Sequence, residues 1–183
     1  VLEQLPQFHA LLPLWLRLER RLTLVERQIL HALSVFRSPA PADVWVLGVG
    51  EQAEALAQLL RRRLVRQDEQ GGVALLPALR EVVYAELPVE MQEDLHAWAA
   101  QIRTERGEYT PAAYHLQCAG QADAAVALWY AHREGEIHRG QAAAALASFD
   151  KISLRRPPAL PGTDVRVVRG ELSQNDSHSA QGT

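Results

Sequence analysis

The stretch that most constrains the fold is residues 55–76, ALAQLLRRRLVRQDEQGGVALL. Leu56, Leu59 and Leu60 recur at helical spacing, and three consecutive arginines follow them. Two short β-type runs then flank DEQGG, whose two glycines supply the positive-φ residues that a tight hairpin needs. The stretch therefore predicts a buried helix that leads directly into a two-stranded antiparallel hairpin.

Two further helices are predicted before this stretch. Pro6 and Pro13 punctuate the start of the chain, and PLWLRLERRL then reads as a short helix. Its predicted apolar face carries Leu14, Leu18 and Leu22. Thr23 and Glu26 have the spacing of a capping box, which predicts the start of a second helix, TLVERQILHALSVFR. The core-facing stripe of that helix consists of Val25, Ile29, Leu33 and Phe36.

A fourth helix is predicted after the hairpin, because Pro77 suits a first helical turn and Pro88 closes the segment. The order helix, helix, helix, hairpin, helix predicts a winged helix-turn-helix over residues 23–88. Residues 1–22 are then a linker helix.

The pattern after residue 88 predicts antiparallel helical repeats of the tetratricopeptide type over residues 89–156. A helix ending at Gly107 precedes a helical pair that turns at Gly120. The predicted stripe of the first of these helices is Met91, Leu95, Trp98 and Ile102. Residues 157–183 are expected to be a partial next repeat or a frayed tail, as in a piece of a longer protein.

Composition argues against several classes of protein. Lys+Arg 19 against Asp+Glu 22 gives a net charge of -3, so no global positive field favours nucleic acid. The one cysteine, Cys118, excludes an intramolecular disulfide and suits a reducing, cytoplasmic compartment. No apolar run approaches the roughly 18 residues that a membrane span needs. Cytoplasmic localisation is therefore expected.

Four arginines at the junction of the third helix and the hairpin are the candidate site: Arg61, Arg62, Arg63 and Arg66. Arginines in this position contact either DNA phosphates or another protein domain, or they form a solvated face. The start of the helix, EQAEALAQ, is acidic and small, and the hairpin tip carries Asp68 and Glu69. Since a recognition helix reads bases through its N-terminal part, an interdomain contact is favoured over DNA binding.

No catalytic or metal site is predicted. His115 and Cys118 lie three residues apart, but catalysis needs a third orienting group and zinc needs two more ligands. HREGEIH, residues 132–138, is interpreted as an exposed loop between repeats. The chain contains no GxxxxGK[ST] phosphate loop. The tryptophans are spread along the chain, which favours core packing over a stacking platform.

These parts resemble a known family in their order. Three segments together resemble the winged-helix and helical-repeat region of bacterial STAND-class signalling ATPases, which include NB-ARC proteins. The segments are ERQILHALSVFRSP, LLRRRLVRQDEQGGVALLPALREVVYAEL and LHAWAAQIRTERGEYTPAAYHLQCAGQADAAVALW. The resemblance implies an upstream ATPase domain in the same chain, with ATP or ADP bound only there. Where the family commonly has a phosphate-contacting histidine, this chain has Leu76, which cannot donate a hydrogen bond.

The sequence therefore predicts a non-catalytic regulatory region. It would couple a nucleotide-binding core to a sensor of helical repeats that binds an unknown protein or ligand. Two alternatives stay open: a winged-helix transcription regulator whose helical tail dimerises or binds an effector, and a protein-binding scaffold without a nucleotide-linked switch.

Overall fold

The computed structural model of the chain describes residues 5–41, 43 and 50–149. It is mainly helical with one small antiparallel two-stranded sheet, which confirms the coarse fold class predicted from periodicity. The chain divides into two compact units, Val1–Gln92 and Glu93–Thr183. Trp45 and the predicted partial repeat at 157–183 lie outside the described residues. In the described part of the chain, no helix combines the length and apolarity that crossing a membrane requires.

The first unit contains four helices and the hairpin among its described residues. The helices are α1 (Leu5–Glu19), α2 (Leu24–Ser34), α3 (Glu51–Arg61) and α4 (Pro77–Ala85). The strands are β1 (Val65–Gln67) and β2 (Val73–Leu75), with Val65 opposite Leu75. The core of this unit lies between α2, α3 and the hairpin, where Leu30, Leu59 and Val73 are fully buried.

Helix α1 differs from the prediction in two ways. It runs through Pro13, which is exposed, so the proline removes one backbone hydrogen bond without breaking the helix. Its buried face carries Trp15, whereas Leu14 is 58% exposed. Leu18 of the predicted face is half-buried, and Leu22, just beyond the helix, is buried as predicted.

Helix α2 begins as predicted. The Thr23 hydroxyl accepts from the Glu26 backbone N–H, and the Glu26 carboxylate accepts from the Thr23 backbone N–H at 2.8 Å, which confirms the capping box. The helix ends at Ser34, three residues earlier than expected, but Phe36 beyond it is still buried.

The hairpin turn is organised by Asp68. Its carboxylate accepts from the backbone N–H groups of Gln70 and Gly72, at 2.9 and 2.7 Å. Gly71 has φ +83° as predicted, but Gly72, which was also expected to have a positive φ, does not. The hairpin has a further pairing that was not predicted: Ala40 exchanges two backbone hydrogen bonds of 2.7 Å with Val73.

The second unit is described as four helices: α5 (Val89–Glu105, in this unit from Glu93 onward), α6 (Tyr109–Cys118), α7 (Ala122–His138) and α8 (Ala142–Phe149). Helices α6 and α7 pack against one another along their lengths, and α8 packs on α6. Trp129 and Phe149 meet edge to face at 5.8 Å in the core of this unit.

The same turn recurs between these helices. Gly107, Gly120 and Gly140 adopt φ of +69°, +73° and +74°, and the residue after each donates its N–H to a carbonyl five residues earlier. This is the Schellman closure of a helix by a left-handed glycine. Five residues beyond each glycine stands a fully buried alanine: Ala112, Ala125 and Ala145. The absence of larger side chains there lets neighbouring helices approach closely.

The predicted stripe of α5 is wrong by one position. Met91 is exposed and Leu95 and Trp98 are only half-buried, although Ile102 is buried as expected. The residues of the buried face are His96, Ala99, Ala100 and Arg103. Two of them are polar and have polar partners inside the unit, which hydropathy alone does not reveal.

Candidate functional site

The arginine junction is built by the end of α3. The Arg63 N–H donates to the Leu60 carbonyl at 2.9 Å, and the Leu64 N–H donates to the Leu59 carbonyl at 3.0 Å. Arg63 has φ +58°, so an arginine occupies the left-handed position that closes the helix. The chain then turns at once into β1, which places Arg66 on the first strand of the hairpin.

Arg62 differs from its neighbours because it is bound inside the first unit. Its guanidinium Nη1 lies 3.3 Å from Oε1 of Glu26, a carboxylate that is almost fully buried and already caps α2. A buried carboxylate needs such a counter-charge, so Arg62 ties the end of α3 to the start of α2. This ion pair explains why an arginine is present at position 62.

The other three arginines are exposed. Within residues 5–41, 43 and 50–149, Arg61 donates only to the Gln58 side chain, at 3.3 Å, and the side chains of Arg63 and Arg66 make no hydrogen bond. Among the described residues, none of the three forms an ion pair. We call Arg61, Arg63 and Arg66 the arginine surface.

Acidic side chains lie at the opposite end of α3 and at the hairpin tip. Glu51 and Glu54 are exposed in the first turn of α3, where carboxylates are also favoured by the helix dipole. Asp68 and Glu69 are exposed at the tip. Helix α3 therefore carries negative charge where a DNA-reading helix contacts base edges, and positive charge only at its far end.

Leu76, at the position where the resemblance implies a histidine, precedes α4 as its N-cap residue. It is half-buried, and its backbone carbonyl accepts from the Arg80 N–H at 2.9 Å. Its side chain has no polar atom to offer a phosphate.

The interpretation of HREGEIH as a loop is wrong. All seven residues belong to α7, and Gly135 does not interrupt it. Glu136 is 1% exposed and accepts from the backbone N–H of Thr110 at 2.9 Å, from the Thr110 hydroxyl and from Arg139. The indole N–H of Trp129 donates to the same hydroxyl at 3.0 Å. The carboxylate thus caps the N-terminus of α6, a role that only the tertiary fold provides.

An open depression of about 360 Å³ lies beside this network on the surface of the second unit. Its wall includes Tyr109 and His132, whose rings stack in parallel with centroids 3.5 Å apart. Arg133, Glu134 and Arg139 also line it, so charges of both signs face the same space. The lining of this depression therefore does not favour one chemical class of ligand.

The second unit also buries a pair of histidines. His96 Nδ1 lies 2.9 Å from His115 Nδ1, with the Tyr114 ring edge-on to both imidazoles. Cys118, one turn after His115, is half-buried. Within the described ranges no group of three or more histidine, cysteine or carboxylate side chains is placed to hold a metal ion. His115 is thus a packed core residue.

No protein-family model, curated protein or solved structure matches the chain.

Proposed function

We propose that this chain is a non-catalytic regulatory region of a signal-transduction NTPase, in which a winged-helix unit is followed by TPR-like helical repeats. It would couple a nucleotide-binding core to a sensor. The order of elements supports the first part, since α2, the Ala40 pairing, α3 and the hairpin follow one another as in a winged helix. The repeated glycine-closed turns and buried alanines of the second unit support the second part.

The single observation that carries an interaction role over DNA binding is the charge distribution along α3. Glu51 and Glu54 would face phosphates or base edges at the end of the helix that normally enters the major groove. DNA carries one negative charge per roughly 1.7 Å of helix axis, so a docked duplex could not avoid these carboxylates. The arginine surface is instead available to another protein.

Fluorescence anisotropy with a labelled random DNA duplex tests whether the chain binds DNA or has an interaction role instead. We expect no salt-dependent binding between about 50 and 200 mM salt, because few phosphates would be neutralised. Steep salt-dependent binding that is lost on replacing Arg61, Arg63 and Arg66 by glutamine would instead identify a DNA-binding regulator. The double variant Glu51→Lys, Glu54→Lys is the matched control: restoring cations at the start of α3 should create the binding that the natural chain lacks.

The nucleotide-linked part of the proposal is tested in a longer protein that carries this sequence beside an ATPase core. Replacing the arginine surface by glutamine should loosen the interdomain contact and raise the rates of nucleotide release and ATP turnover. Unchanged rates would favour a scaffold without a nucleotide-linked switch.

A further inference from the structure

We propose that the arginine surface, Arg61, Arg63 and Arg66, docks a carboxylate-rich protein surface, and that Arg63 contributes to this binding at the expense of folding stability. The inference rests on the proposed function, because both require that the arginine surface binds a protein. It adds that the binding surface of this partner is rich in carboxylates.

The conformation of Arg63 is the first observation. The described residues contain four helix ends with the same closure, in which the residue after the left-handed position donates its N–H to a carbonyl five residues earlier. Glycine occupies that position in three of them, at Gly107, Gly120 and Gly140. The fourth carries Arg63, with φ +58°, where the Cβ atom adds steric strain that glycine would avoid. Such an outlier in an exposed helix end points to a role for the side chain itself.

The second observation is that the four arginines of the junction differ in their contacts. Arg62 meets the structural need at this junction through its ion pair with the buried Glu26. The arginine surface is not needed for that purpose, and in the described part of the chain its three guanidinium groups have no carboxylate partner. Three exposed cations within six residues repel one another, so an acidic partner would be attracted to them.

Carboxylates match this surface better than a nucleic acid does. Each guanidinium offers a planar fork of donors that binds a carboxylate through two parallel hydrogen bonds. Along the axis of α3, Glu51 lies roughly 15 Å and Glu54 roughly 10 Å from Arg61 at the basic end. These separations reach or exceed the Debye length of about 8 to 10 Å at physiological salt. A compact acidic patch can therefore bind the arginines without approaching Glu51 and Glu54.

The test is the binding of fluorescently labelled poly-L-glutamate, as a stand-in for an acidic protein surface, measured by anisotropy beside a random DNA duplex. Replacing the three residues of the arginine surface by glutamine should raise the Kd for the polypeptide by about tenfold or more. The matched control removes the same charge from the end of α1 and the turn that follows it, through Arg17→Gln, Arg20→Gln and Arg21→Gln, all exposed. The control should change binding by less than about twofold, because it alters only the net charge.

The variant Arg63→Gly distinguishes an Arg63 side chain that binds a partner from one that is only solvated. It should raise the midpoint of thermal unfolding of the first unit by about 2 to 5 °C and yet weaken binding of poly-L-glutamate. Unchanged binding by this variant would overturn the role of Arg63.

Two results would overturn the docking proposal while leaving the proposed function standing: failure of the natural chain to bind the polypeptide, and equal losses in the two triple variants. Tighter binding of duplex DNA than of poly-L-glutamate would overturn both proposals.

Discussion

The Nδ1 atoms of His96 and His115 lie 2.9 Å apart, with 1% and 2% of the two residues exposed. A hydrogen bond at this distance needs a proton on one Nδ1 and a lone pair on the other. The pair joins α5 to α6 and explains why a histidine lies on the buried face of α5. Neither ring could be placed in this contact by hydropathy.

This contact predicts opposite tautomers for the two rings. When both imidazoles are neutral, one should carry its proton on Nδ1 and the other on Nε2. Long-range ¹H–¹⁵N correlation spectra measure this directly, and His96→Gln and His115→Gln assign the two sets of signals. Two Nε2–H tautomers in the natural chain would show that the hydrogen bond does not form.

The Glu136 network predicts a stability effect that its position on α7 does not suggest. Glu136→Gln replaces one acceptor oxygen by an NH2 group that faces either the Thr110 donors or Arg139. Leaving a buried donor unpaired should lower the free energy of unfolding by about 1 to 3 kcal/mol. Urea unfolding checks this, with Glu134→Gln as the matched control. Glu134 is exposed two residues away, so its substitution should change stability by less than about 0.5 kcal/mol.

Substituting alanine for Gly140, one of the three glycines that close helices in the second unit, and for Gly135 should change the free energy of unfolding in opposite directions. Gly140→Ala should cost about 1 kcal/mol, because a Cβ at φ +74° is strained although no atom lies within 4 Å of it. Gly135→Ala should stabilise by about 0.5 to 1 kcal/mol, because Gly135 is inside α7 and an added Cβ meets only Arg139 Nη2 at 3.8 Å. Thermal unfolding of the two variants measures both. Equal signs would contradict the turn geometry.

His31 predicts a loss of stability in acid. Burial lowers its pKa below the ordinary value of 6.5, a shift that Glu19 opposes and Arg27 reinforces. Because the folded state prefers the neutral ring, the unfolded state binds more protons once the pH falls below 6.5. The contribution of His31 is therefore fully present above that pH and is lost as the pH falls through the folded-state pKa. Urea unfolding at several pH values should show a shallower acid loss in His31→Gln, and an identical slope would contradict the assignment.

Local sequence rules determined the parts of this protein that depend on near neighbours in the chain. The capping box at Thr23 and the hairpin at DEQGG were predictable because their partners lie within a few residues. Gly107 and Gly120 were recognisable as helix ends because glycine tolerates the left-handed backbone. The coarse helical fold followed from these signals and from apolar periodicity.

Only the tertiary structure decided which face of a helix is buried when that face is polar. Glu136 and His96 were invisible to hydropathy because their burial depends on Thr110 and His115, which lie on other helices. The same holds at the arginine junction, where four arginines within six residues look alike in sequence. Glu26, far away in the chain, binds Arg62, and backbone closure strains Arg63. A buried charge or hydrogen bond is stable only beside its partner, and that partner is supplied by folding rather than by local sequence.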